Sequence, residues 1–217
     1  MLKFKKNNVD TLFIGYFKLS VLLTYLSVVS SGIGIYFAFN LRIAPALICL
    51  VICGVLDSFD GKVARACKRS NEEKLFGIQI DSLADMCAFI FLPTAIFYGM
   101  GYTSWYHVVV YIAYALNGVI RLAYFNVIAE ETGKEKGVTY YHGLPVTSAS
   151  IIFPIFYLLK NVLSVPVFST LFISLMAFVA ILFILNFTFR KPRNFWLYLF
   201  IVFAVIVSTL LFILFIR

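Results

Sequence analysis

Residues 43–66 read IAPALICLVICGVLDSFDGKVARA, and the fold turns on how this stretch divides. Its first fourteen residues carry no charge, whereas its last ten carry Asp57, Asp60, Lys62 and Arg65. An apolar run closed by charge is what a helix needs to cross about 30 Å of hydrocarbon, a distance that takes roughly 20 residues. Similar runs recur at about 19–38, 76–98, 105–128, 144–163, 166–188 and 194–216. The chain therefore reads as all-α, a polytopic transmembrane helix bundle of about seven spans. Six or eight remain open, because the break from Lys160 to Pro166 is shallow and residues 8–18 would suit an extra interfacial helix. Composition agrees: 62% hydrophobic residues, 13% charged and a mean hydropathy of +0.97 are far from the usage of a soluble domain. No linker or repeat divides the chain, so residues 1–217 read as one integral membrane domain.

A formal charge of +8 raises the question of nucleic acid, but the basic residues lie between apolar runs and line no single polar face. No nucleic-acid partner is expected. With the N-terminus inside, Lys3, Lys5, Lys6, Lys18, Lys62, Arg65, Lys68, Arg69, Lys74, Lys134, Lys136, Arg190, Lys191 and Arg193 fall on the inner side. Arg42, Lys160 and Arg217 fall outside, and Arg121 lies within a span. That asymmetry predicts a multi-pass protein of the cell membrane with a cytoplasmic N-terminus, an odd number of spans and an inner surface suited to anionic lipids. No small-residue cleavage site follows the first apolar run, which is expected to be retained. Cys49, Cys53, Cys67 and Cys87 avoid the expected outer loops, so no disulfide framework is expected, and the Cys49/Cys53 pair reads as packing.

Five of the ten acidic residues are aspartates, and four of these are Asp57, Asp60, Asp81 and Asp85. An ionised carboxylate at the centre of a membrane helix costs roughly 2.5–3.5 kcal/mol, so four of them call for compensating charge. Asp57 and Asp60 are spaced i, i+3 and Asp81 and Asp85 i, i+4, which puts each pair on one helix face. The polar stretch between them allows an antiparallel turn that brings both pairs to one depth. Carboxylate oxygens without histidine or thiolate are the ligand set of Mg²⁺ or Mn²⁺. Four can hold two ions, the arrangement used in phosphoryl transfer. A cation or proton pathway, or a salt-bridge network with Lys62, Arg65 and Arg69, would use the same acids. Gly61 and Ala64, each four residues after an aspartate, strip that face of bulk and favour the close approach of a large ligand such as a nucleotide diphosphate. Arg65 stands ready for phosphate oxygens.

The run Asp57-Ser58-Phe59-Asp60-Gly61-Lys62-Val63-Ala64-Arg65, followed by Gly77-Ile78-Gln79-Ile80-Asp81-Ser82-Leu83-Ala84-Asp85, resembles the signature of the CDP-alcohol phosphotransferase family. That resemblance implies a helical membrane fold, usually a homodimer, with a dinuclear Mg²⁺ or Mn²⁺ site near the cytoplasmic face and CMP as leaving group. It implies that Asp57, Asp60, Asp81 and Asp85 bind metal and that Asp85 also acts as the base. Thr24, in Leu22-Leu23-Thr24, is similar to a nucleotide contact of the family, although Val21 replaces a common asparagine. Eleven residues separate Arg65 from Gly77, longer than the usual spacing.

The acceptor alcohol rests on different residues. Arg121 is the basic residue well inside a span, where an anion is needed. A carboxylate on the acceptor would suit its guanidinium, and an ion pair with one of the aspartates would serve equally. Asn126 could add a hydrogen bond. His142 could orient acceptor or phosphate, or could simply be a polar residue at a helix start. The segments Arg121-Leu122-Ala123-Tyr124-Phe125-Asn126-Val127 and His142-Gly143-Leu144-Pro145 resemble the phosphatidylserine synthase branch of the family, which joins CDP-diacylglycerol to L-serine. Glycerol-3-phosphate, inositol phosphate or choline as acceptor, and an archaeal-type ether lipid as donor, are the alternatives. A transporter or a structural scaffold would lie outside the enzyme class.

Overall fold

The computed structural model describes residues 15–132, 140–190 and 194–216. Among these residues seven helices carry the fold: α1 Leu19–Phe39, α2 Ile43–Ala66, α3 Asn71–Gly99, α4 Trp105–Thr132, α5 Val146–Asn161, α6 Val165–Ile184 and α7 Asn194–Ile216. Five of them, α1 to α4 and α6, are long and apolar enough to cross a membrane, and α5 and the described part of α7 are shorter apolar helices. The protein is a multi-pass membrane bundle, as the apolar runs predict.

Two short strands, β1 Tyr140–His142 and β2 Thr188–Arg190, pair antiparallel with His142 opposite Thr188. The sequence gives no warning of this ribbon. Three-residue strands are too short to show a period of two. His142 thus lies in a strand and not at a helix start.

Helix boundaries follow local chemistry. The stretch from Cys67 to Lys74 reads as a loop because it is polar, yet α3 begins at Asn71, inside it. Ser70 Oγ accepts from the Glu73 N–H at 3.2 Å, and the Glu73 carboxylate accepts from the Ser70 N–H at 3.1 Å. This reciprocal cap satisfies two donors that a helix start otherwise leaves open. Glu72 and Glu73 in the first turn also suit the positive end of the helix dipole. Only residues 67–70 remain to turn the chain from α2 to α3. Midway along α3 the pairing widens to a π-turn over Met86–Phe91, then returns to α-helix for Leu92–Gly99.

α2 is the central helix, packed against α1, α3, α5 and α7. Leu47 and Leu50 of α2, Phe89, Leu92, Ile96 and Phe97 of α3, Tyr114 of α4, Phe153 of α5 and Phe172 and Met176 of α6 are completely buried. The Phe97 and Phe172 rings stack at 4.3 Å, and Phe153 meets Phe97 edge-on at 5.2 Å. By contrast α4 leaves Val109, Ile112, Leu116 and Ile120 exposed. In a bundle surrounded by lipid that apolar exposure costs nothing and needs no partner. The four cysteines are free thiols.

Candidate active site

Both aspartate pairs meet where α2 and α3 approach their connecting turn. The spacing Asp57/Asp60 on α2 and Asp81/Asp85 on α3 turns each pair inward, and one carboxylate oxygen from each of Asp57, Asp81 and Asp85 lies within 4.8 Å of the others. Asp60 lies beside the group, lining with Asp81 the same cavity between α2 and α3. All four are half-buried.

Among the described residues, no lysine or arginine forms an ion pair with any of these aspartates. Lys18 pairs instead with Glu73 at the start of α3. A salt-bridge network with Lys62, Arg65 and Arg69 is therefore not what gathers these acids. Four carboxylates gathered with no counter-cation among the described residues concentrate negative charge in a partly dry place, which is costly unless a cation joins them. An all-oxygen donor set of this kind suits hard divalent cations and can hold one.

Beside the carboxylates lies a cavity of about 160 Å³. Asp60, Gly61, Ala64 and Arg65 from α2 form one wall, Gly77, Ile78 and Asp81 from α3 a second, and Ser20, Val21 and Thr24 from α1 a third, with Arg69 at the turn. Asp81 belongs to both the cluster and the cavity, and Asp60 lines the cavity beside it. The expected nucleotide contacts Thr24, Gly61, Ala64 and Arg65 are thus brought to one wall system. At Gly61 the space above the backbone is bounded by the Arg65 guanidinium, 3.3 Å from where a Cβ would sit. No sequence motif assigns Ser20 or Arg69 to this cavity, yet both line it. Ser20 lies one turn before Thr24 on the buried face of α1, and that spacing is the signal that could have found it.

The segment before α1 is tied to the start of α3. The Lys18–Glu73 pair is one tie, Tyr16 Oη donates to Glu72 at 3.4 Å, the Tyr16 and Phe76 rings meet edge-on at 5.2 Å, and Tyr25 Oη donates to the Tyr16 carbonyl at 2.8 Å. These contacts fix α1 against α3 at the end where the cavity lies.

The residues expected to hold the acceptor are less closely gathered. Asn126 of α4 reaches the site directly, since its side-chain oxygen accepts from Ser82 Oγ at 2.8 Å, and Ser82 adjoins Asp81. Arg121 is buried, with Nη1 donating to the Phe183 carbonyl at 3.3 Å and its guanidinium 4.6 Å above the Phe125 ring. Its chemistry is partly spent on the C-terminal end of α6. Gly143, at φ +65°, leaves the space this requires, since a Cβ there would lie 2.9 Å from Arg121 Nη1. The His142 backbone pairs with Thr188, and its side chain lies outside the described residues. His107 starts α4, where its Nδ1 accepts from the Ser104 N–H at 3.2 Å.

Residues 17–175 match the family described as CDP-alcohol phosphatidyltransferase. The CDP-diacylglycerol--serine O-phosphatidyltransferase of Saccharomyces cerevisiae is 35% identical over 112 residues, 48% of this chain and 38% of the yeast protein. A Helicobacter pylori protein of the same name is 30% identical over 142 residues, 64% of this chain and 57% of its own. The archaetidylserine synthase of Methanothermobacter thermautotrophicus is 32% identical over 138 residues, 63% of this chain and 56% of its own. The chain spans 38% to 57% of the length of these relatives. With the matched region running through the aspartate pairs, the cavity walls and helices α1 to α5, the chain belongs to the CDP-alcohol phosphatidyltransferase family.

Proposed function

We propose that this protein transfers the phosphatidyl group of CDP-diacylglycerol to the hydroxyl of L-serine, releasing phosphatidylserine and CMP. The observation that carries this reading is that Asp81 belongs both to the carboxylate cluster and to the cavity beside it, which Asp60 also lines, so a diphosphate in the cavity meets the cluster.

Asp57, Asp60, Asp81 and Asp85 would hold two Mg²⁺ or Mn²⁺ ions, whose charge would oppose the negative charge that develops on the phosphoryl oxygens. Thr24, Gly61 and Ala64 seat the cytidine diphosphate head against bare backbone and a hydroxyl, and Arg65 orders its phosphate oxygens. The lipid chains stay outside the bundle. The serine hydroxyl attacks the phosphorus that bears the diacylglycerol, Asp85 takes the hydroxyl proton, and the bond to the CMP oxygen breaks as CMP leaves with that electron pair. A carboxylate in hydrogen-bond reach of the attacking hydroxyl is what general-base assistance requires, and the half-buried setting of Asp85 limits competition from water. Arg121, Asn126 and His142 hold the acceptor, Arg121 by pairing its guanidinium with the serine carboxylate.

Residues 1–217 act as one domain, in a homodimer within the cell membrane, with N-terminus and site on the cytoplasmic face. The cluster of Lys62, Arg65, Lys68, Arg69 and Lys74 around the α2–α3 turn supports that orientation. The similarity to an archaetidylserine synthase favours a second donor, an archaeal ether lipid, with the same acceptor.

Purified protein with Mn²⁺ or Mg²⁺ is tested against serine, glycerol-3-phosphate, inositol phosphate and choline, each with CDP-diacylglycerol or its ether counterpart. Release of CMP with serine is the expected result. Release with glycerol-3-phosphate but not serine would overturn the acceptor assignment, and a preference for the ether donor would reassign the lipid alone.

A further inference from the structure

We propose that Tyr114 is a positioning residue for the aspartate site, because its hydroxyl holds the π-turn after Asp85 and so sets the rotation at which Asp81 and Asp85 face α2. The inference rests on reading the aspartates as metal ligands.

The π-turn Met86–Phe91 begins at the residue after Asp85, and its wider pairing runs from the Leu92 N–H back to the Cys87 carbonyl. Such a turn holds one more residue than an α-turn. Beyond it, Leu92, Ile96 and Phe97 are completely buried, so core packing fixes the rotation of that half of α3. Each residue of an α-helix turns the next by about 100°. If the extra residue were absorbed, the half carrying Asp81 and Asp85 would swing by about that angle and lose Asp57.

The cause of the π-turn is local. Pro93 has no N–H for the Phe89 carbonyl four residues earlier, and its ring crowds that carbonyl. Tyr114 Oη, fully buried on α4, donates to the Phe89 oxygen at 2.7 Å and replaces the donor that Pro93 lacks. One turn along α4, Gly118 lets Ile90 approach so closely that a Cβ there would lie 2.6 Å from Ile90 Cδ1. The hydroxyl and the glycine together grip two consecutive residues of the turn. Without the hydroxyl the Phe89 carbonyl loses this buried donor, and a change of pairing that compensates for it also rotates the aspartates.

The test uses the full chain in detergent and Mn²⁺ alone, with binding read from the EPR signal of free ion and folding from thermal unfolding. Tyr111→Phe is the control. Tyr111 lies on the same helix and donates to the Tyr102 carbonyl at 2.6 Å, in the loop at the far end of α3. Tyr114→Phe should weaken Mn²⁺ binding about fivefold or more, the effect of removing a hydrogen bond to a buried acceptor, whereas Tyr111→Phe should change it less than about twofold. Gly118→Ala, which drives a methyl group against Ile90, should also weaken it and serves if Tyr114→Phe does not fold. Wild-type affinity in Tyr114→Phe, or an equal loss in Tyr111→Phe, overturns the proposal. A wild-type chain that binds no Mn²⁺ overturns both the positioning role and the metal reading. Wild-type Mn²⁺ binding without CMP release from CDP-diacylglycerol and serine sinks the proposed reaction and leaves the role of Tyr114 to its own variants.

Discussion

Replacing Gly61 with alanine should move stability and activity in opposite directions. Gly61 sits inside α2, where exchanging glycine for alanine gains about 0.5–1 kcal/mol from reduced freedom of the unfolded chain. The added Cβ would lie 3.3 Å from Arg65 Nη1 and 3.9 Å from its Cζ. Both atoms belong to the far end of a flexible side chain, so the folded protein accommodates the methyl group by moving the guanidinium. That movement is harmless to the fold and harmful to a ligand. A guanidinium shifted off a phosphate oxygen forfeits a charge-assisted hydrogen bond of about 1.5–3 kcal/mol. At 1.36 kcal/mol per decade, kcat/KM for CDP-diacylglycerol should fall between about tenfold and about a hundredfold. CMP release at subsaturating donor and thermal unfolding in the same detergent read the two effects side by side. A Gly61→Ala variant with raised Tm and unimpaired kcat/KM would refute the placement of the nucleotide against this wall. A lowered Tm would contradict the packing around Gly61.

Asp85→Asn should lower CMP release about a hundredfold or more, the usual contribution of a positioned base, and a variant that turns over normally would remove Asp85 from the reaction. Arg121→Lys gives up the fork that engages the Phe183 carbonyl and the Phe125 ring. It should raise KM for serine about tenfold while leaving KM for CDP-diacylglycerol alone, and equal changes in both would refute an acceptor role. Gly143→Ala places a Cβ 2.9 Å from both Arg121 Nη1 and the Leu185 carbonyl at a φ of +65°, and should cost about 1–3 kcal/mol in unfolding measurements. Ser70→Ala removes the cap of α3 and should lower stability by about 1 kcal/mol.

The membrane class and most helix positions are legible in the sequence, because an apolar run in lipid leaves the backbone little choice but a helix. The aspartate site is legible for a related reason. Spacings of three and four place the carboxylates on one face, and a short connection then brings the two faces together. What resists reading comes from tertiary context. The Arg121 guanidinium meets the Phe183 carbonyl from 62 residues away, and no local pattern announces that. The polar run before Lys74 conceals a helix start, although Ser70 and Glu73 stand at the spacing of a capping box, a signal that was available. The π-turn lies inside a uniformly apolar run where only Pro93 hints at a break. Its resolution depends on Tyr114, a residue of a different helix.

The reaction itself is tested most directly with L-serine carrying ¹⁸O in its hydroxyl, incubated with CDP-diacylglycerol, the metal and the protein. Mass spectrometry of lipid and nucleotide then follows the oxygen. Attack by the serine hydroxyl on phosphorus predicts that phosphatidylserine retains the label and that CMP has none. Unlabelled phosphatidylserine, or phosphatidic acid formed with CMP in place of it, would contradict direct transfer at the aspartate site.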